Sequence, residues 1–192
     1  MSALNITSQA SISATYELPF GQNRRGLTHA GTLGSKLIGG WQLNGIATLL
    51  SGFPFTPQVG SNRSGDGDTR NPDRPSLNPA FTGPILIKSP SQWFNPNAFI
   101  LPTSGTYGNL GRGTLTGPGL ADLDVSLFKT MTVTERANLQ FRAECFNLLN
   151  RANFATPNAI VFSNGSISAS AGLITATATA SRQIQFGLKL IF

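Results

Sequence analysis

Apolar and polar residues alternate one for one along five stretches of the chain, as they must in a strand with one apolar and one polar face. The sharpest is Ser181 to Phe192. There Ile184, Phe186, Leu188, Leu190 and Phe192 fall on one face, Gln183, Gln185, Gly187 and Lys189 on the other, and only Ile191 breaks the rule. Ala10 to Phe20 sets Ile12, Ala14, Tyr16 and Leu18 against Ser11, Ser13, Thr15 and Glu17. Leu37 to Phe53 sets Trp41, Leu43, Ala47 and Leu49 against Gln42, Asn44 and Thr48, with Ile46 and Leu50 blurring the pattern on the polar side. Leu123, Val125 and Leu127 oppose Asp122, Asp124 and Ser126 in Ala121 to Met131, and Leu139, Phe141, Ala143 and Cys145 oppose Asn138, Gln140, Arg142 and Glu144 in Ala137 to Leu148.

The connections between these strands sort by length. Gly21 to Ser35 is of medium length, Pro54 to Leu120 very long, Thr132 to Glu135 very short and Asn150 to Ala180 long. Outer-membrane barrels alternate short periplasmic turns with long extracellular loops in this manner. With the C-terminus on the periplasmic side, Thr132 to Glu135 falls inside and the two longest connections fall outside. The polar face carries Asp122, Asp124, Gln140, Arg142 and Glu144, which are costly to bury dry; these are expected to face a wet lumen while the apolar face meets lipid. The expected fold is therefore all-β: an antiparallel up-and-down sheet of about five strands, an open segment of a transmembrane β-barrel with long extracellular loops. Tyr16, Phe20, Trp41, Phe53, Phe128, Phe146 and Phe192 lie near strand ends, where interfacial girdles place aromatics. The alternative is a secreted, soluble β-sandwich that binds carbohydrate, with Trp93 and Tyr107 as stacking platforms. It requires Ile12, Leu123, Phe141 and Phe186 to meet in a sealed, two-layer interior.

Composition agrees with strands and loops. The 192 residues are 40% hydrophobic and only 11% charged, against roughly 25% in a typical soluble domain. The net charge of +6 raises the question of a polyanion partner. The basic residues are dispersed, however, with no stripe of Lys and Arg interleaved with aromatics, so nucleic acid is not an expected partner. Cys145 is the only cysteine, which excludes an internal disulfide and a cysteine zinc cluster. No apolar run is long enough for a transmembrane helix. The first residues have neither a basic region nor an apolar core of a secretory signal, which leads to the expectation that 1–192 is the end of a longer protein. Ser64 to Asp73 places oxygen ligands at short spacing, with Asp66, Asp68 and Asp73 as calcium candidates, but lacks the Glu and the regular spacing of an EF-hand. Gly111-Arg112-Gly113 is not a phosphate loop and reads as a flexible segment. His29 stands without an acid and nucleophile nearby, so no catalysis and no cofactor are expected.

Several stretches resemble a known family. Tyr16-Glu17-Leu18-Pro19-Phe20-Gly21, Gly39-Gly40-Trp41-Gln42-Leu43-Asn44-Gly45-Ile46, Ser51-Gly52-Phe53-Pro54-Phe55-Thr56, Phe141-Arg142-Ala143-Glu144-Cys145-Phe146-Asn147-Leu148-Leu149-Asn150, Asn153-Phe154 and the ending Arg182 to Phe192 are similar to the C-terminal portion of TonB-dependent outer-membrane receptors. The subgroup is the acidobacterial type with a carboxypeptidase-regulatory-like N-terminal domain. The resemblance implies a place in the outer membrane and a part in uptake of a bulky substrate: glycan, peptide or metal chelate. It also implies that the strand of Ile184, Phe186, Leu188, Leu190 and Phe192 is the insertion signal read by the outer-membrane assembly machinery. The plug and the segment that engages the energy-transducing TonB complex have no counterpart in 1–192, so contact with that complex is expected only through missing N-terminal regions.

Overall fold

The computed structural model describes residues 5–19, 39–68 and 70–192. Phe20, His29 and the start of the expected second strand lie outside them. The strands run in chain order β1 Gln9–Glu17, β2 Trp41–Leu50, the two-residue β3 Pro54–Phe55, β4 Gln58–Val59 and β5 Ser76–Leu77, then β6 Leu86–Ser89 and β7 Gln92–Phe94. After a single 3-10 turn at Pro96–Ala98 come β8 Phe99–Ile100, β9 Leu115–Thr116, β10 Leu120–Thr134, β11 Ala137–Phe146, β12 Ile160–Ser163, β13 Ser166–Ile167 and β14 Gln183–Ile191. No α-helix occurs among the described residues.

All five long strands coincide with the five alternating stretches of the sequence. They form one sheet in the order β1-β2-β10-β11-β14, so each long strand lies beside its predecessor. Leu18 N donates to Trp41 O at 2.9 Å and Thr15 Oγ1 to Asn44 Oδ1 at 3.0 Å, which sets β1 antiparallel to β2. β10 pairs antiparallel with β11 and β11 with β14. Among the described residues the sheet is open, with β1 and β14 as edges. Neither face of those edges is covered: every residue of β1 and β14 is exposed. Ile12 is 62% and Phe186 73% exposed, so the sealed two-layer interior of a sandwich does not form around the apolar face.

Chain contacts divide the molecule into two compact units. One holds most of the long sheet with residues 121–152 and 180–192; the other gathers 50–120 and 153–179. The second unit departs from the expectation of long loops. It has a hydrophobic core of its own, in which Phe94 is fully buried (0% exposed) between Phe55 and Phe99, ring centroids 5.9 Å from each. Val59, Leu110, Leu115, Val161 and Phe162 complete the surround. The short strands tie sequence-distant segments: β3 pairs with β9, β5 with β8, and β12 lies between β13 and β4. The β4 to β12 pairing is parallel, unlike the antiparallel pairings of β10 with β11, β11 with β14 and β12 with β13. β12 and β13 turn through Asn164 and Gly165, with φ of 51° and 79°, the left-handed pair of a two-residue hairpin.

Candidate functional site

Two regions carry the functional chemistry, the faces of the long sheet and a cleft in the second unit. On the sheet, register decides which side chains share a face. Val125, Leu127 and Met131 of β10 stand opposite Cys145, Ala143 and Leu139 of β11, and these in turn oppose Ile184, Phe186 and Leu190 of β14. Phe141 packs edge-on to Trp41 at 5.9 Å and stacks on Phe186 at 6.4 Å. One apolar face therefore runs from β2 to β14 and includes Ile184, Phe186, Leu188 and Leu190, as the alternation predicts; Phe192 lies just past β14, exposed.

The opposite face carries a transverse row of polar side chains. Thr15 donates to Asn44, and Asn44 Nδ2 donates to Ser126 Oγ at 3.3 Å. Ser126 stands opposite Glu144 of β11, and Glu144 accepts from Gln185 Nε2 of β14. Each of the five strands contributes one member. Gln140 and Arg142 fall on the same face by register, opposite Thr130 and Phe128, and the Arg142 guanidinium lies 5.2 Å from the Phe128 ring. A shallow depression of about 230 Å³ opens there, lined by Gln42, Asn44, Ser126, Phe128, Arg142 and Glu144. Asp122 and Asp124 share the face by alternation, but each also has a local partner. Asp122 accepts from Leu123 N at 3.0 Å, and Asp124 from Asn147 N at 2.9 Å. Asn147 is buried at a φ of 48°, and its amide donates to Arg151 O and Ala180 O, so this pair closes the turn after β11.

Phe128 on the polar face and Lys129 on the apolar face both break the strict two-face reading. Lys129 falls on the apolar face opposite Phe141, is only 2% exposed, and places its Nζ 5.0 Å from the centroid of the Trp41 ring. An ammonium over an indole face is attracted by the ring's quadrupole, so Trp41 shields a charge among apolar neighbours. The Trp41 and Lys129 spacing holds no local signal, because the two meet only through strand register.

The cleft of the second unit, about 390 Å³, lies between two segments of the expected Pro54 to Leu120 connection. Asp66, Asp68, Arg70, Asn71, Asp73 and Arg74 come from one segment, Tyr107, Gly108 and Arg112 from the other. The segments are laced together: Leu110 N donates to Pro75 O at 3.2 Å, Leu77 N to Asn109 Oδ1 at 2.9 Å, and Gly108 sits so close that a Cβ there would lie 2.0 Å from Arg74 O. Across the cleft, Tyr107 Oη donates to Asp66 Oδ2 at 3.0 Å and Arg112 Nη2 to Asn71 Oδ1 at 3.0 Å. Asn71 Nδ2 donates to Asp68 Oδ2 at 2.8 Å. That bond, with the backbone N–H of Arg70, holds the Asp68 carboxyl below its ordinary value. The bond to Asp66 and the charge behind it raise the Tyr107 phenol above its ordinary value.

Three expectations change here. Asp66, Asp68 and Asp73 are near one another but do not form a calcium set. Asp73 accepts from Ser64 N and Oγ, Asp66 from Asp68 N and Tyr107, and Asp68 from the chain at Arg70 and Asn71. Among the described residues, no three His, Cys, Asp or Glu side chains converge on a metal position. Trp93 is buried and donates its Nε1–H to Thr116 O at 2.9 Å, so it is core and offers no stacking face. Gly111-Arg112-Gly113 is anchored, with Gly113 N donating to Thr56 Oγ1 at 2.8 Å. Cys145 is a free thiol on the apolar face, opposite Val125 and Ile184.

No curated protein and no solved structure gives a significant match to the chain. A family model described as "outer membrane beta barrel domain" matches residues 1–185. A sheet that exposes its apolar residues on one face and threads hydrogen-bonded polar ones across the other is what such a barrel wall requires, lipid on one side and water on the other. The chain belongs to the outer membrane beta barrel domain family, and its place is the bacterial outer membrane.

Proposed function

We propose that the chain is the C-terminal wall of a TonB-dependent receptor barrel and takes part in uptake of a bulky substrate. The observation that carries this reading is the pairing of the polar row Thr15, Asn44, Ser126, Glu144 and Gln185 with the receptor-like stretches around Trp41, Phe141 and Phe186. In this reading Asp122, Asp124, Gln140, Arg142 and Glu144 line a wet lumen. The second unit, built from the longest connections, meets the substrate. The role is passage and not catalysis.

Five strands do not close a barrel, since the smallest single-chain examples need about eight. Further strands therefore complete the wall, and an isolated 1–192 does not transport. The strand of Ile184, Phe186, Leu188, Leu190 and Phe192 is the segment that the assembly machinery reads, and lipid is the partner of its apolar face. TonB is engaged through a plug region outside these strands.

The test is to express 1–192 behind a signal peptide and to follow heat-modifiable migration of outer-membrane fractions on gels. The reading expects outer-membrane association without a closed, heat-modifiable barrel. A stable monomeric barrel would remove the need for further strands, and a folded chain that stays soluble without detergent would remove the receptor.

A further inference from the structure

We infer that the cleft between the Asp66 to Arg74 segment and the Tyr107 to Arg112 segment binds a neutral oligosaccharide. The inference rests on the reading above, in which the second unit is the substrate-contacting part of a receptor, and it specifies the substrate class.

Size comes first. At about 390 Å³ the cleft falls within the roughly 300–1,000 Å³ of small-molecule sites. Charge comes second. The cleft is lined by Asp66, Asp68 and Asp73 and by Arg70, Arg74 and Arg112, so a chain of net charge +6 presents here a balanced set. A balanced wall attracts neither an anionic chelate nor a cation over long range. It selects instead for groups that donate and accept hydrogen bonds at once, and a sugar hydroxyl does both.

Pre-organisation comes third. Tyr107 is tied to Asp66, Asp68 to Asn71, and Asn71 to Arg112 by bonds of 2.8 to 3.0 Å. Planar carboxylate, amide and guanidinium groups fixed by one another lose little freedom when a ligand arrives, and they suit bidentate contact with adjacent hydroxyls. Shape comes fourth. Tyr107 is 67% exposed although its hydroxyl is anchored, so its ring is a fixed, open platform. A pyranose presents a C–H face to such a ring while its rim of hydroxyls reaches polar neighbours. A peptide ligand would need an apolar wall for its side chains, and among the described residues the only apolar lining residue besides the Tyr107 ring is Pro72.

The test uses the full chain in detergent micelles on an array of neutral and acidic oligosaccharides, followed by calorimetry with the best ligand, a ferric catecholate and a pentapeptide. The expected result is saturable binding of a neutral oligosaccharide, weakened about tenfold or more by Tyr107→Ala and by Asn71→Ala and less by Tyr107→Phe, which keeps the ring. Preference for acidic sugars, chelate or peptide, binding indifferent to Tyr107→Ala, or no neutral ligand at all would overturn the inference. Circular dichroism of each variant separates loss of contact from loss of fold. Fractionation of the same cells keeps the two readings apart. A chain at the outer membrane that binds no neutral sugar sinks only this inference, whereas a chain in the soluble fraction sinks the receptor.

Discussion

A single substitution shows how much the two faces of the sheet differ. Leu188 stands on the apolar face opposite Phe141, and Thr130 on the polar face opposite Gln140. An arginine on the lipid face of a barrel costs about 2–4 kcal/mol at mid-membrane, and lumen positions tolerate polar change. Leu188→Arg is therefore expected to lower urea-unfolding stability in lipid vesicles by about 2–4 kcal/mol, with Thr130→Arg close to the parent. Equal effects of the two would deny the distinction. Lys129 does not contradict this rule, because its side chain is buried and its charge lies over the Trp41 ring.

The cleft gives a pH prediction at the same scale. Tyr107 has a raised pKa because its O–H donates to Asp66 and the carboxylate charge opposes a phenolate. A group with its folded pKa raised contributes fully below the unfolded value, here 10.0, and that contribution is lost as pH rises through the folded value. In a Tyr16→Phe background, phenolate absorbance is expected to appear above pH 10.0, and Asp66→Asn to move its onset down. An onset unmoved by Asp66→Asn would mean that the bond is absent in solution. Asp68 has the opposite sign. Its pKa is lowered by Asn71 and by Arg70 N–H, so its contribution is present above the ordinary value of 3.8 and is lost only as pH falls through the depressed value. The Arg70 and Asn71 amide resonances are the readout.

Among elements, the long strands were legible and the short ones were not, for a physical reason. A strand of nine or more residues repeats its alternation often enough to be seen, and β1, β2, β10, β11 and β14 all fall on their alternating stretches. Two-residue strands such as β3, β5, β8 and β9 have no period. Their pairing is fixed by partners far along the chain, Pro54 with Thr116 and Ser76 with Ile100, and no local pattern encodes that. The core they build is scattered through the sequence as single aromatics, so the segment reads as loop. Asn164-Gly165 was a usable signal for one hairpin. Of the cleft, Asp66, Asp68, Asp73 and Tyr107 stood out in the sequence but in two unrelated roles. The close approach of Gly108 to Arg74 and Pro75, with the bonds from Leu110 N to Pro75 O and from Leu77 N to Asn109 Oδ1, brings them together. Phe94→Ala tests whether this unit depends on its core. Emptying a fully buried phenylalanine site costs about 3–5 kcal/mol. Limited proteolysis of outer-membrane preparations is expected to cut within 54–120 far faster in the variant while the chain stays membrane-bound. Unchanged protection would show that the short strands are held by something other than Phe94.

At the scale of the whole molecule, the open sheet has two long edges, and an exposed edge offers unpaired backbone groups to any other strand. In a bilayer those groups have no water to turn to, so closure by further strands is a physical requirement. The apolar face meets the same solvent: each exposed Ile, Leu or Phe of β14 gains about 1.5–3 kcal/mol on leaving water, a gain that lipid provides.

The most direct measurement of this account is depth-dependent quenching along β14. In a Cys145→Ser background, single cysteines at each position from 183 to 190 carry an environment-sensitive fluorophore in vesicles containing brominated lipid. The account predicts a two-residue period, with strong quenching at positions 184, 186, 188 and 190 and weak quenching at 183, 185, 187 and 189. Quenching that is uniform, or strongest at the Gln185 and Lys189 positions, would contradict it.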